Sequence, residues 1–254
     1  EIIREYTSKC NLIIFPEMAL TGYPPQDLLL DESFIQKTQE VLNGIASSVN
    51  STAVIVGSIR KENHNLYNTA AVIQSGSVIA YRDKTHLPTY DVFDEVRYFT
   101  PSEFVEPVEV SVNGKSVKLG LQICEDLWDE EYETKVSKSL CNQGAELLIN
   151  ISASPFHINK LNERIELICD KAKDLKCSFI YCNLVGAQDE LVFDGQSCIV
   201  NPAGEVIFLS AAFEENVQLV DLEKYKQIKV LELPEEEQIF RALSLGVKDY
   251  FQKT

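Results

Sequence analysis

Short apolar runs alternate along the chain with segments whose apolar residues recur every three or four positions. Most of the runs are apolar throughout, which is typical of strands that are covered on both faces. They predict strands at 11–15, 53–59, 117–123, 146–152, 177–185 and 216–222, and hairpins at 69–83 and 196–210. The helical spacing predicts helices at 33–49, 129–144, 159–175 and 235–254.

This alternation predicts an α/β fold with sheets that helices cover on one face and a second sheet covers on the other. Because the hairpins turn at Ser75-Gly76 and around Gly204, the sheets are expected to be mixed. We place one domain at residues 1–226, and a charged connector with a further helix at 227–254. Both ends lie within predicted amphipathic helices, so we expect the sequence to be a piece of a longer chain.

Composition and charge narrow the possible partners. The chain has 254 residues, 45 % of them hydrophobic, and a net charge of −16, which argues against nucleic acid or an anionic membrane as a partner. It has no apolar run near the roughly 20 residues of a membrane span and no signal-like start, so we expect a cytoplasmic protein. Seven cysteines without a C-x-x-C pair indicate reduced thiols, and three scattered histidines argue against a zinc site.

Three chemically useful side chains follow predicted strands directly. Glu17 follows 11-NLIIFP-16, Lys84 follows 77-SVIAYRD-83, and Cys124 follows 117-VKLGLQI-123. Strand ends are where α/β folds place catalytic groups, so three of them can bring three side chains to one place.

An acid, an ammonium and a thiol can each perform a separate step of amide hydrolysis. A free cysteine has a pKa of roughly 8.5, so a nearby carboxylate has to take its proton. A lysine can stabilise the thiolate and then the oxyanion of a tetrahedral intermediate. Such a triad permits attack on an amide or nitrile carbon, a thioester and its hydrolysis.

Each of these residues also has a simpler interpretation. Glu17 is equally compatible with a loop position after proline, Lys84 with a solvated hairpin end, and Cys124 with a small core residue. His86 offers an alternative Cys-His pair with Cys124. The aromatic residues near these motifs, Tyr23 and Trp128, are more typical of a core or a rim than of a substrate platform.

Three longer segments carry a resemblance to a known family. The segments 15-FPEMALTGYPPQDLL-29, 82-RDKTHLP-88 and 121-LQICEDLWD-129 resemble the Glu, Lys and Cys signatures of the nitrilase superfamily. In closer detail they resemble the glutaminase domain of glutamine-dependent NAD synthetase, as do 183-NLVGAQDELVFDGQS-197 and the last helix. The resemblance implies an enzyme with the four-layer α-β-β-α nitrilase-like sandwich and mixed sheets.

The resemblance also implies roles for individual residues. Glu17 would be the general base, Lys84 the electrostatic stabiliser and Cys124 the nucleophile, with Glu95 as a second glutamate beside the lysine. The residues that would hold substrate glutamine are Tyr90, Glu125, Ser154 and Lys160. An acid such as Glu125 complements the α-ammonium of glutamine, and a cation complements its α-carboxylate. Further along, Asp129, Glu130 and Glu131 are expected to open a helix.

Two departures from the family pattern limit the function that we expect of this chain. The family's first strand is absent before Glu1, and the chain has no Ser-Gly-Gly-x-Asp-Ser loop for pyrophosphate. We therefore expect no cofactor here, with ATP and Mg²⁺ bound only by an absent synthetase domain. The expected partners are L-glutamine, that synthetase domain and further copies in a homo-oligomer. The alternatives are a stand-alone amidase or carbamoylase for another small amide, and a non-catalytic scaffold.

Overall fold

The computed structural model describes residues 1–224 and 226–253 of the chain. Within them, the α-helices are α1 (Ile2–Tyr6), α2 (Glu32–Ala46), α3 (Val136–Asn142), α4 (Lys160–Leu175) and α5 (Glu235–Lys253). The strands are β1 (Leu12–Ile14), β2 (Ala53–Glu62), β3 (Asn65–Gln74), β4 (Ser77–Asp83), β5 (Val108–Val112), β6 (Lys115–Ile123), β7 (Leu147–Ser152), β8 (Ser178–Asn183), β9 (Val185–Gln188), β10 (Leu191–Asp194), β11 (Cys198–Val200) and β12 (Val206–Leu209). The chain divides into two compact units, Glu1–Ile151 and Ser152–Thr254.

The first unit contains a four-stranded sheet in the order β1-β2-β3-β4. β1 runs parallel to β2, and the other two pairs are antiparallel. The register sets Ile14 opposite Ile55, so the chain leaves β1 beside the middle of β2. At the far side of the sheet, Thr69 lies opposite Asp83, which brings the end of β4 beside β3.

A second sheet in this unit pairs β5 with β6 in antiparallel fashion and β6 with β7 in parallel. β3 and β4 contact β6, α2 packs against β2 and β4, and α3 packs against β6. The unit therefore has the layer order helix, sheet, sheet, helix, and the predicted α-β-β-α arrangement of mixed sheets is confirmed.

Local chemistry explains why α2 forms where it does. The side chain of Asp31 accepts a hydrogen bond from the Ser33 N–H at 2.8 Å, which caps the first turn of the helix. Its buried residues recur every three or four positions, and they are Ile35, Thr38, Leu42 and Ala46. This face packs into a cluster of Val and Ile side chains from the first sheet.

In the second unit, β11 pairs in antiparallel fashion with both β8 and β12, and β9 and β10 form a separate hairpin. α4 packs against β8 and β11, and α5 packs against β9 and β10. Asp249 holds α5 to the hairpin, since its Oδ2 accepts the Ala187 N–H at 2.7 Å.

The structure corrects two of the predicted elements. The segment 216–222 is not a strand, and its apolar residues Val217, Leu219 and Leu222 are 42–50 % exposed. The helix predicted at 129–144 covers only Val136–Asn142, so Asp129, Glu130 and Glu131 do not open it. Instead, Lys135 Nζ donates to the carbonyl oxygens of Asp129 and Glu130 at 2.6 Å each, which holds this stretch in a turn.

Candidate active site

The structure brings three of the predicted catalytic side chains into direct contact. Lys84 Nζ lies 2.9 Å from Glu17 Oε1 and 2.7 Å from Glu95 Oε1. The exposed fractions are 0 % for the Glu17 residue, 1 % for Lys84 and 4 % for Glu95, so the three charges are withdrawn from solvent. The predicted placement of Glu95 beside the lysine therefore matches the geometry.

A close approach of two backbone segments positions Glu17. After β1, the chain passes across β2 at Gly57, and the Leu20 N–H donates to the Gly57 carbonyl at 3.3 Å. A Cβ on Gly57 would lie 2.2 Å from the Pro16 carbonyl oxygen and 2.6 Å from the Glu17 Cα. Only glycine at this position allows the loop to approach β2 this closely. The contact with β2 therefore sets the distance of Glu17 from the sheet.

Backbone hydrogen bonds hold Lys84 where β4 ends. Its N–H donates to the Asn68 carbonyl at 2.8 Å, and its own carbonyl accepts the Ser102 N–H at 2.9 Å. Burial opposes the charge on the ammonium, but Glu17 and Glu95 outweigh that effect and raise the pKa of Lys84 well above its ordinary value. The lysine is therefore a fixed cation.

The pKa of Glu95 is raised, whereas a carboxylate in an ion pair usually has a lowered pKa. Burial raises it, and Glu17 adds to the increase, whereas Lys84 lowers it. Tyr23, which the sequence suggested as a core or rim aromatic, is buried and donates its hydroxyl to Glu95 Oε1 at 2.9 Å. Tyr23 therefore belongs to this cluster as well as to the core.

Cys124 sits in a strained turn directly after β6. It begins a short 3₁₀ helix, Cys124–Leu127, and has a φ of +45°, a value that non-glycine residues rarely adopt. Asn150 Nδ2 donates to its carbonyl oxygen at 3.3 Å. The side chain is buried beside the charged cluster, where Glu17, Lys84 and Glu95 all act on its charge.

Asp126 ties this turn to the loop after Lys84. Its Oδ2 accepts the Ile123 N–H at 3.1 Å, and its Oδ1 accepts the N–H groups of Thr85 and His86 at 3.0 and 2.9 Å. A buried carboxylate that accepts three backbone hydrogen bonds is a rigid link. The segments that carry the lysine and the cysteine are therefore held at a fixed separation.

The surroundings of Cys124 keep its thiol protonated at rest. Burial raises the pKa of the thiol well above its ordinary value, and Glu17 raises it further, while Lys84 lowers it. The resting residue is therefore a neutral thiol, and a proton acceptor has to remove its proton when the sulfur attacks.

Glu125, the residue after Cys124, is held by two tyrosine hydroxyls. Tyr90 donates its hydroxyl to Glu125 Oε2 at 2.8 Å, and Tyr132 donates to Oε1 at 3.0 Å. Burial raises the pKa of Glu125, although both hydroxyls act to lower it. Glu125 is 5 % exposed and Tyr90 is 53 % exposed, so the carboxylate is buried while one of its hydrogen-bond partners reaches solvent.

The structure gives His86 a different role from the alternative Cys-His pair. Its ring stacks on Tyr132 with centroids 3.9 Å apart, and Nε2 lies 2.9 Å from the Thr134 carbonyl oxygen. A ring that is fixed in this way supports Tyr132 rather than acting as the base for Cys124. The other aromatic residue of the motif, Trp128, is half-buried and ends the 3₁₀ turn.

The remaining two predicted glutamine ligands belong to the second unit. Ser154 is buried, and its N–H donates to Asn183 Oδ1 at 3.0 Å. Lys160 is half-buried and is the first residue of α4, after Asn159. The assignment of both residues to substrate stays a prediction.

Metal-binding clusters and membrane-spanning helices are both absent from the described residues. Across 1–224 and 226–253, no three or more His, Cys, Asp and Glu side chains are grouped so that they could hold a metal ion. In the same part of the chain, no helix has both the length and the apolar character needed to cross a membrane.

Comparison with known proteins assigns the chain to a class of hydrolases. Residues 1–229 match the family model of the carbon-nitrogen hydrolases, so the chain belongs to the carbon-nitrogen hydrolase family. Among curated proteins it is similar to the glutamine-dependent NAD(+) synthetase of Aquifex aeolicus, with 38 % identity over 99 % of this chain and 45 % of that protein. For the enzyme of the same name from Synechocystis, the identity is 37 % over 96 % of this chain and 47 % of that protein. The chain thus spans about half the length of these relatives.

Solved structures give the same picture. The glutamine-dependent NAD+ synthetase from Acinetobacter baumannii, solved with ADP, superimposes with a TM-score of 0.86 and 30 % identity over 98 % of this chain and 47 % of that one. A carbon-nitrogen hydrolase from Helicobacter pylori superimposes with a TM-score of 0.70 and 24 % identity over 84 % of this chain and 79 % of that one, which supports the fold.

Proposed function

We propose that this chain hydrolyses the side-chain amide of L-glutamine to glutamate and ammonia through a thioester on Cys124. The observation that carries the proposal is the buried ion cluster in which Lys84 bridges Glu17 and Glu95 beside the cysteine. Membership of the carbon-nitrogen hydrolase family supports the reaction class. The names of the relatives, which are glutamine-dependent enzymes, support glutamine as the amide donor.

Glu17 is proposed as the general base. Because burial and the nearby acids raise the pKa of Cys124, the resting residue is a neutral thiol. Attack on the amide carbon therefore requires that Glu17 accept the thiol proton as the sulfur–carbon bond forms. The carbonyl electron pair moves onto oxygen, and Lys84 stabilises that oxyanion.

The same groups complete the turnover. The carbon–nitrogen bond breaks as Glu17 returns the proton to the departing nitrogen, which leaves as ammonia. Glu17 then takes a proton from water, whose oxygen attacks the thioester carbon. The carbon–sulfur bond breaks, Glu17 returns the proton to the sulfur, and glutamate leaves. Glu95, which also contacts Lys84, is assigned to holding the ammonium in place.

Glu125 is proposed to bind the α-ammonium of glutamine. It is a buried carboxylate beside the nucleophile, with both oxygens fixed by the hydroxyls of Tyr90 and Tyr132. Among the described residues no cation forms an ion pair with this carboxylate, so an amino acid substrate fits better than a simple amide. Ser154 and Lys160 belong to the second unit, and their assignment to substrate rests on the family resemblance alone.

The ammonia is proposed to serve a synthetase that amidates deamido-NAD to NAD with ATP and Mg²⁺. The proposal draws on the names of the relatives, whose sequences are about twice as long as this chain. No cofactor is assigned to the glutaminase step itself, which needs only water and the side chains described above. A cytoplasmic, homo-oligomeric enzyme belongs to the same proposal.

The test is replacement of the nucleophile. Cys124→Ala is expected to abolish release of ammonia from glutamine, whereas Cys177→Ala, which removes another buried thiol, should retain it. A glutamine-analogue diazo-ketone should label Cys124 selectively, as read by mass spectrometry of the digested protein. Ammonia release that persists in Cys124→Ala would overturn the mechanism.

A panel of amides tests the substrate. If glutamine is inert while a small aliphatic amide is hydrolysed, the chain is an amidase and the assignment of Glu125 to an ammonium is wrong. If no amide is hydrolysed and Cys124 is not labelled, the chain is a non-catalytic scaffold.

A further inference from the structure

Asn68, on β3, contacts three of the four proposed catalytic residues. Its Nδ2 lies 2.6 Å from Glu17 Oε1 and 3.4 Å from Glu95 Oε2. Its main-chain carbonyl accepts the Lys84 N–H at 2.8 Å. The residue is 1 % exposed, so these contacts are made away from solvent.

The hydrogen-bond partners of the Asn68 side chain differ from those of an ordinary buried asparagine. Its side-chain nitrogen donates to the two carboxylates, and its Oδ1 is buried without a protein partner among the described residues. Buried amides that serve the fold usually bond to the main chain at both ends. Stability alone would favour an apolar side chain of similar volume in a sheet that is covered on both faces.

Two donors converge on one oxygen of Glu17. Lys84 Nζ lies 2.9 Å and Asn68 Nδ2 lies 2.6 Å from Oε1. The lysine is shared with Glu95 and reaches the site on a flexible stem, whereas the asparagine is short and fixed to the middle of a strand. Two convergent hydrogen bonds define the plane of the carboxylate, which a single bond does not.

We propose that Asn68 is the positioning residue for the base, and that it fixes the carboxylate of Glu17 in the orientation that receives the proton of Cys124. The proposal rests on the proposed role of Glu17, but it does not depend on which amide is the substrate. Asn68 acts through Glu17 and makes no contact with the reacting carbon.

The experiment compares Asn68→Leu and Asn68→Ser with Thr69→Val. Leu keeps the volume and removes the donor, Ser keeps a polar group that is too short to reach, and both remove the two amide contacts. Thr69 is the next residue of β3 and is fully buried, and its hydroxyl donates to the Arg82 carbonyl. Thr69→Val therefore removes a comparable buried hydrogen bond that does not involve the catalytic carboxylates.

Two rates are measured for each variant, along with the thermal midpoint. The kcat for glutamine is expected to fall about 10- to 100-fold in both Asn68 variants with KM changed less than about threefold, since the base is misplaced but the substrate contacts are kept. Alkylation of Cys124 by iodoacetamide at neutral pH, read by mass spectrometry, should slow similarly because it also needs the thiol proton removed. Thr69→Val should leave both rates within about twofold of the parent.

The inference is overturned if Cys124 is alkylated at the parental rate in the Asn68 variants, or if Thr69→Val slows it equally. If Asn68→Leu does not fold, Asn68→Ser decides the question. If the parent protein does not hydrolyse glutamine but its alkylation still depends on Asn68, the substrate proposal fails and the positioning role stands.

Discussion

Gly57→Ala tests the idea that backbone contact with β2 sets the position of the catalytic base. The added methyl group would lie 2.2 Å from the Pro16 carbonyl oxygen, 2.4 Å from the Met18 nitrogen and 2.6 Å from the Glu17 Cα. All three atoms belong to the main chain, so no side-chain rotation can relieve the overlap. The loop that carries Glu17 has to move away from β2.

The size of the movement follows from these distances. An ordinary contact is about 3.5 Å, so the loop has to retreat by roughly 1 Å. A misplacement of that size at a catalytic group costs about 100-fold in rate, and overpacking of a core costs about 1–3 kcal/mol of the free energy of unfolding. We therefore expect kcat to fall by about 100-fold, with a loss of stability that leaves the protein folded.

The assay measures ammonia release from glutamine and urea unfolding in parallel. Gly44→Ala is the matched control, because Gly44 lies in α2 and a Cβ there meets no described atom within 4 Å. That variant should gain about 0.5–1 kcal/mol from helix propensity and keep its activity. Parental kcat and stability in Gly57→Ala would refute the reasoning, since the contact would then have relaxed without moving Glu17.

Three further substitutions probe other parts of the chain. Burial raises the pKa of Glu95, so ionising it opposes folding as the pH rises above its ordinary value of 4.5. In urea unfolding, Glu95→Gln should therefore be more stable than the parent at pH 7, should lose that advantage near pH 4, and should have a lower kcat throughout. Tyr132→Phe removes the hydroxyl that donates to Glu125 at 3.0 Å, and steady-state kinetics should show KM for glutamine rising about three- to tenfold with kcat nearly unchanged. Arg164→Leu leaves the buried carboxylate of Asp194 without the guanidinium that lies 3.1 Å away, and unfolding should show a loss of about 3–5 kcal/mol, part of which a second change, Asp194→Leu, restores.

Strand ends explain why much of the site could be predicted from the sequence. Glu17, Lys84 and Cys124 each follow an apolar run, and the structure ends β1, β4 and β6 within three residues of them. Continuous apolar runs are a strong signal for strands in this fold, because both faces of each sheet are covered. The position at which a strand ends can therefore be predicted from the local sequence. The residue that follows the strand end can be identified in the same way.

The strand predictions were wrong in two places for different reasons. β5 alternates apolar and polar residues and turns into β6 at Asn113-Gly114, which is a strong hairpin signal, yet β5 was not among the predicted strands. The segment 216–222 has similar alternation, yet its apolar side chains are largely exposed. Alternating apolar and polar residues do not by themselves show that a neighbouring strand is available to pair with the segment.

The supporting residues of the site could not be derived from spacing. Asn68 lies in the middle of β3, Tyr23 in the loop after β1, and Tyr132 in a stretch that was expected to be helical. Each acts through a contact made across the fold, such as the hydroxyl of Tyr23 on Glu95. The register between strands and the path of the loops determine such contacts, and neither is encoded in a local pattern.

The charges around Cys124 lead to a last prediction, on how substrate affects the nucleophile. Glu125 is one of the acids that raise the pKa of the thiol, after burial, Glu17 and Glu95. The ammonium of bound glutamine would neutralise that charge, so the substrate itself would make the sulfur easier to ionise. Glu125→Gln mimics this neutralisation without substrate, and it should speed alkylation of Cys124 by about two- to tenfold, equivalent to a pKa decrease of up to about one unit. The same variant should bind glutamine poorly and raise KM. Slower alkylation in Glu125→Gln would contradict the electrostatic argument, because it would mean that Glu125 stabilises the reactive thiol rather than restraining it.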